Sequence, residues 1–180
     1  IRDSINLVSG PSGSGKTTLL NLIAGLEKPS YGLIMLDDNI QSSIDKFVEP
    51  ENRNVGFVFQ DFALFPHLNV KQNIEFSENR NKELFNTLID NLSIKNHLSK
   101  YPHELSGGQQ QRASIARAIY SEPKILLIDE PISNQDKNNK IEIIKIISDF
   151  TKDKEIVCIL VSHEEINNIS QVETISYNLS

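Results

Sequence analysis

The sequence predicts an α/β protein, with a largely parallel sheet, flanking helices and one helical insertion. Three observations carry this expectation. Short apolar runs alternate with segments of helical periodicity along most of the chain, the pattern of strand–helix–strand units. Ile125-Leu126-Leu127-Ile128 is apolar at every position, as in a parallel strand covered on both faces. Between about 61 and 104 the pattern changes to short polar helices, read as an insertion. With 180 residues and 20.3 kDa the chain suits a single domain, divided into a core of 1–60 and 105–180 and a helical subdomain of about 61–104.

Taken in order, residues 5–9 read as a short buried strand that runs into Gly10-Pro11-Ser12-Gly13-Ser14-Gly15, too kinked and flexible to extend a sheet. From Lys16 the apolar positions Leu19, Leu20, Leu22, Ile23 and Leu26 have helical spacing, and turn chemistry at 29–32 closes that helix before a strand at 33–36. Residues 37–53 read as polar and irregular, and 55–59 as a strand ending at Gln60. Helices are expected near 70–76 and 81–91, and another after Ser106-Gly107-Gly108 to about Tyr120. Following the strand 125–128, helix 137–151 carries Ile141, Ile144 and Ile147 on one face, with Ile143, Ile146 and Phe150 alongside, a stripe of ordinary core packing. A strand at 155–161, a short helix near 164–170 and a strand at 172–178 complete the chain, without repeats, low-complexity runs or heptads.

Composition narrows the function classes. Lys plus Arg is 18 against 24 Asp plus Glu, a net charge of −6 with a pI near 5.2. Bulk attraction to nucleic acid or anionic lipid is disfavoured, although a local basic patch is not. A single cysteine, Cys158, excludes an internal disulfide, and its place in the apolar run 156–161 reads as a small buried hydrophobe. The longest apolar runs are about six residues, against roughly 18 to 20 for a membrane-spanning helix, and no signal-peptide pattern opens the chain; a soluble, cytoplasmic protein is expected. The chain opens on Ile1 and its one methionine is Met35, which reads as a trimmed sequence.

Gly10-Pro11-Ser12-Gly13-Ser14-Gly15-Lys16-Thr17, followed by Thr18, matches G-x-x-x-x-G-K-[ST] between an expected strand and an expected helix. The pattern resembles the phosphate loop of P-loop NTPases. Its glycines let successive N–H groups turn inward to phosphate oxygens, and the helix N-terminus adds the positive end of its dipole. Lys16 would reach the β- and γ-phosphates of ATP, and the Thr17 hydroxyl would be a ligand of Mg²⁺. Asp129 and Glu130 follow four apolar residues at the C-terminal end of a strand, where open α/β sheets bind ligands. Asp129 suits a direct or indirect partner of Mg²⁺, whereas Glu130 can accept a proton from an attacking water.

Leu105-Ser106-Gly107-Gly108-Gln109-Gln110-Gln111-Arg112 closely resembles the signature motif of ATP-binding cassette (ABC) ATPases, and the resemblance extends over almost the whole chain. Ser106 with the Gly107 and Gly108 amides, and with Leu105 and Gln109 beside them, forms a second anion site at a helix N-terminus. A chain with its own phosphate loop has use for a second site if that site serves a partner's ATP, which implies a head-to-tail homodimer holding two nucleotides. The resemblance makes Gln60 the mobile glutamine that approaches Mg²⁺ and the attacking water, His163 the residue that contacts the γ-phosphate, and Asp136 the D-loop aspartate. The D-loop reads Ser133-Asn134-Gln135-Asp136 where the family usually has Ser-Ala-Leu-Asp, a departure that can alter coupling between sites. The adenine-stacking aromatic of the family belongs to N-terminal antiparallel strands that would lie upstream of Ile1, and the helical insertion is of the ABC type. His67, His97 and His103 have no metal-ligand spacing and read as surface or packing residues.

The segment from Phe59 to Val70 is similar to that of bacterial importer ATPases serving oxyanions, iron, polyamines and sugars. The resemblance implies an ATP-hydrolysing subunit, peripheral on the cytoplasmic face of the membrane through a permease whose helix enters a groove near Phe62, Leu64 and Phe65. The other reading, that they pack the helical subdomain against its own sheet, can hold for some of the three while the rest line the groove. Two other readings stand beside this one: a soluble ABC module acting on ribosomes or DNA, and a degenerate cassette that binds ATP without hydrolysing it. The first lacks a basic stripe and a long coiled-coil insertion in support, and the second is opposed by the presence of Lys16, Asp129, Glu130 and His163. The solute is handled by other subunits, and no C-terminal regulatory domain of the kind many importers carry is seen in these residues.

Overall fold

The structure is a computed structural model that describes residues 5–36, 38–77, 80–130, 137–162 and 174–178. In chain order its elements are β1 (Ile5–Ser9), α1 (Lys16–Ala24), β2 (Ile34–Leu36), β3 (Asn39–Ser42), β4 (Val55–Val58), α2 (Val70–Ile74), α3 (Lys82–Asn91), α4 (Gly107–Tyr120), β5 (Ile125–Asp129), α5 (Lys137–Asp153), β6 (Val157–Ser162) and β7 (Thr174–Asn178). Five strands form one parallel sheet in the order β4-β5-β6-β1-β7. Every strand of that sheet points the same way, so the C-terminal ends of β1, β4, β5 and β6 gather at one edge.

The sheet is covered on both faces, and alternation along β5 shows how. Leu126 and Ile128 join a cluster with Ile5, Leu7, Val58, Cys158 and Leu160 that includes Ile74, Leu88, Ile115, Ile119, Ile143 and Ile147 from the helices. Ile125 and Leu127 face the other way, with Val8 and Val161, onto Leu20 and Ala24 of α1. Burying a Leu or Ile side chain stabilises by about 1.5 to 3 kcal/mol, so the all-apolar strand is what holds both layers. Burial also pushes the Cys158 thiol up to about 12, and the residue is packing material as expected.

Three expectations need correction. Helix α1 ends at Ala24, because Gly25 adopts φ 81 and its N–H returns to the Asn21 and Leu22 carbonyls; Leu26 lies beyond the helix and is exposed. The strand near 33–36 joins no parallel unit: β2 pairs antiparallel with β3 in a separate two-stranded sheet, and β3 lies in a stretch expected to be irregular. On α5 the buried apolar positions are Ile143, Ile144, Ile147 and Phe150, while Ile141 is 45% exposed. The short helix expected near 164–170 lies outside the described residues.

Candidate functional site

The loop 10–15 leaves β1 at the common edge of the sheet and feeds α1. Gly13 and Gly15 have φ 81 and 91, a left-handed backbone that L side chains rarely adopt, and an added Cβ would meet nothing at either. The glycines are therefore required by the turn rather than by crowding. The N-cap of α1, Gly15, has no side chain with which to cap the first turn, whereas Asn69 caps α2 and Ser106 caps α4. Uncapped amides at a helix N-terminus, with the dipole behind them, suit an anion. Lys16 is buried, and its Nζ donates to the Gly10 and Pro11 carbonyls at 2.9 and 2.8 Å, so its charge is folded over the loop it belongs to. Pro11, Ser12, Gly13, Thr17 and Thr18 are exposed, and Ser14 Oγ has no hydrogen-bond partner among the described residues.

Two neighbouring strand ends supply the acidic groups and their partner: the end of β5 gives both acids and the end of β4 gives an amide. Asp129 closes β5 and is 4% exposed, and its Oδ1 is buried without a hydrogen-bond partner among the described residues. A buried, unpartnered carboxylate oxygen is costly, which is what a site for a cation looks like before the cation is considered. Glu130 leaves the strand at φ 46, with its N–H held by the Val161 carbonyl at 3.1 Å. Gln60 follows β4 and donates through Nε2 to Glu130 Oε2 at 3.3 Å, although the two are 70 residues apart in sequence. Ser162 ends β6 at the same edge; His163, Asp136 and the rest of 131–136 lie outside the described residues.

The signature residues form their own cluster. Ser106 Oγ accepts from Gln109 N at 3.4 Å while Gln109 Oε1 accepts from Ser106 N at 3.0 Å, a capping box that opens α4. Leu105 is buried, Ser106 and Gly107 are exposed, and Gly108 and Gln109 are half-buried. Gln109 Nε2 lies 3.2 Å from His97 Nε2, so one of the histidines read as surface or packing touches the motif. No hydrogen bond or ion pair among the described residues joins this cluster to the loop 10–17.

Sequence reasoning passed over three polar residues that shape the region. Arg117 on α4 donates to the Ala63 carbonyl at 2.7 Å and the Phe62 carbonyl at 3.2 Å. Asn73 on α2 is fully buried and bonds Phe65 through both N–H and C=O, as well as the Leu68 and Asn69 carbonyls. Arg53 spans the Leu22, Ile23 and Val48 carbonyls beside the end of α1, and burial lowers its pKa while Glu49 opposes that shift. A polar residue inside an apolar helical stripe is the signal that points to the first two. Of the aromatic segment, Leu64 packs on the main core, whereas the Phe65 ring lies 4.3 Å from that of Phe76, tilted by 36°, and Phe76 is 61% exposed.

Comparison with known proteins gives one consistent result. The sequence profile of the ABC transporter family matches residues 2–133. The molybdenum import ATP-binding protein ModC of Photorhabdus laumondii is 37% identical over 180 residues, covering 98% of this chain and 50% of ModC. The Fe(3+) ions import ATP-binding protein FbpC of Yersinia pestis is 39% identical over 174 residues, covering 94% of this chain and 50% of FbpC. This chain thus spans about half the length of the curated relatives it matches. Among solved structures, the ATP-binding cassette MJ0796, as a dimer in a post-hydrolysis state with ADP and Pi, superimposes with a TM-score of 0.81 at 28% identity, over 98% of this chain and 83% of that one.

Proposed function

This chain belongs to the ABC transporter family, and from that premise we propose that it is the ATP-hydrolysing part of a bacterial importer, working as a homodimer beneath a membrane permease. The observation that carries the reading is the gathering, at one sheet edge, of an uncapped glycine loop with Lys16, a buried unpartnered Asp129 oxygen and the Gln60–Glu130 pair. Phosphoryl transfer to water needs a phosphate cradle, charge neutralisation and a group that takes a proton, and these residues supply each. The import ATP-binding names of the two relatives favour import over export.

In this reading the amides of 13–18 and Lys16 hold the phosphates of ATP, and Lys16 exchanges its bonds to Gly10 and Pro11 for phosphate oxygens. Glu130 accepts the proton of the attacking water, and Gln60 holds both that carboxylate and the water in place. His163 contacts the γ-phosphate. Asp129, Thr17 and Gln60 would hold Mg²⁺, to which the buried Asp129 Oδ1 is suited. Bound there, the ion would neutralise charge on the phosphates. Ser106, Gly107 and Gly108, flanked by Leu105 and Gln109, face the γ-phosphate of a head-to-tail partner's ATP, and Asp136 is the D-loop aspartate that contributes to the same nucleotide site. The permease contacts the exposed Phe76 and the half-buried Phe65 beside it. The subunit sits on the cytoplasmic face of the membrane, and no helix of the described residues is long and apolar enough to cross one. Neither nucleic acid nor the solute is bound by this subunit.

The test is affinity capture of the full-length parent carrying Glu130→Gln from gently solubilised membranes of its source cell. Co-purification of a multi-span permease supports the importer reading. Recovery with ribosomes or nucleic acid, or with nothing from the membrane, overturns it.

A further inference from the structure

The chain between β4 and α2 is held at two places by side chains from two different helices. Asn73 on α2 fixes the far end at Phe65, Leu68 and Asn69. The near end, two and three residues past Gln60, is held by Arg117: Nη1 donates to the Ala63 carbonyl and Nη2 to the Phe62 carbonyl, while the guanidinium lies 5.4 Å from the centre of the Phe65 ring. Phe62 and Ala63 have φ of 65 and 43, two consecutive non-glycine residues in the left-handed region. Such a conformation persists only where surrounding contacts over-determine it, and a planar fork that meets successive carbonyls is the contact that does so here. Desolvation lowers the Arg117 pKa, which agrees with a cation committed to the protein rather than to water.

Arg117 also sits on α4, the helix whose first turn carries Ser106. Its backbone is one rigid rod of 14 residues, so a displacement at the Ser106 end moves the Arg117 end with it. Gln60, two residues before the gripped carbonyls, reaches Glu130. We propose that Arg117 is a positioning residue that transmits the placement of α4 to Gln60, so that engagement of Ser106 by a partner's nucleotide sets the Gln60–Glu130 contact in the chain's own site. The inference rests on the reading of Gln60, Glu130 and Ser106 given above, and it adds the physical link between them.

Arg117→Met and Arg117→Lys in the full-length protein separate this role from a structural one. Hydrogen exchange at the amides of 61–64 reads the grip directly, without ATP. Arg117→Met is expected to speed it about tenfold or more relative to wild type, and Arg117→Lys by less, because an ammonium reaches one carbonyl where the fork reaches two. Steady-state ATPase reads the consequence: kcat falls by about 10- to 100-fold in Arg117→Met with KM for ATP nearly unchanged, the pattern of misplacement rather than lost binding. Adding Gln60→Ala to Arg117→Met is expected to cost little beyond Gln60→Ala alone. Unchanged exchange at 61–64, a raised KM with intact kcat, or penalties that multiply in the double variant would overturn the proposal. If Arg117→Met does not fold, Arg117→Lys alone decides by the same readings. A wild-type protein without ATPase activity defeats the functional reading, while the exchange result still judges the grip.

Discussion

Gln60 Nε2 donates to Glu130 Oε2 at 3.3 Å, so the amide after β4 holds the carboxylate after the neighbouring strand β5. Glutamine at position 130 keeps an oxygen that can accept from Gln60, so Glu130→Gln preserves the geometry and removes only the basicity. ATP binding is expected to persist, hydrolysis to fall by about 10²- to 10⁴-fold, and an ATP-bound dimer to accumulate. Phosphate release and light scattering with Mg-ATP check this. A monomer that still hydrolyses ATP contradicts the role of Glu130.

Ser106 faces solvent at the start of α4, and no hydrogen bond or ion pair among the described residues joins its cluster to the loop 10–17. Ser106→Arg places a bulky cation there without touching the loop 10–17. Nucleotide binding to the isolated chain is therefore expected to stay within about twofold, while closure of the dimer is lost because the long side chain fills the space between the two chains. Equilibrium binding of a fluorescent ATP analogue and sedimentation of the Glu130→Gln background with ATP report the two halves separately. Loss of binding by the monomer would refute this division of labour.

What was legible in the sequence is what local chemistry dictates. The glycine loop, the all-apolar β5 and the acids at its end each follow from spacing and residue type, and they fall where the strand–helix pattern places them. The β2–β3 hairpin was not legible because Asn39-Ile40-Gln41-Ser42 has neither a long alternation nor a strong β-former run; its place beside α1 comes from Arg53, whose guanidinium reaches Ser42 and the Gln41 carbonyl as well as Leu22 and Ile23. Ile141 was put on the buried stripe because five isoleucines within seven residues of α5 leave its phase ambiguous. Arg117 and Asn73 stand out in the sequence only as polar residues within apolar helical stripes, because their partners are backbone groups of a loop, which have no sequence signature.

The ending of α1 offers a direct comparison between two glycines of nearly equal φ. Gly25 and Gly32 stand at 81 and 79. An alanine Cβ at Gly32 would meet nothing within 4 Å, whereas at Gly25 it would collide with Arg53 Nε and lie 2.6 Å from its Cζ. Gly32→Ala should cost about 1 to 2 kcal/mol, the backbone penalty alone. Gly25→Ala should cost at least about 2 kcal/mol more, because Arg53 must withdraw from buried carbonyls that it satisfies. Urea unfolding of the two variants measures the difference, and equal midpoints would show that Arg53 moves freely.

Cys158 gives the alkaline side of stability a definite sign. Its thiol is fully buried on β6 and pushed from an ordinary 9.0 to about 12 by desolvation. In the folded chain the proton stays on sulfur through the interval in which the unfolded chain has already lost it. The unfolded state therefore binds fewer protons, and stability falls as pH rises. The contribution is complete below about pH 9 and is lost progressively towards 12, at about 1.4 kcal/mol per pH unit once the ordinary value is passed. Cys158→Ala removes this term and leaves a pH-independent packing loss. Other alkaline titrations are common to both proteins, so the difference between their urea midpoints isolates the thiol. The wild-type advantage is expected to shrink between pH 8 and 11 and then reverse. A difference that stays constant over that interval would mean the thiol titrates as it does in water.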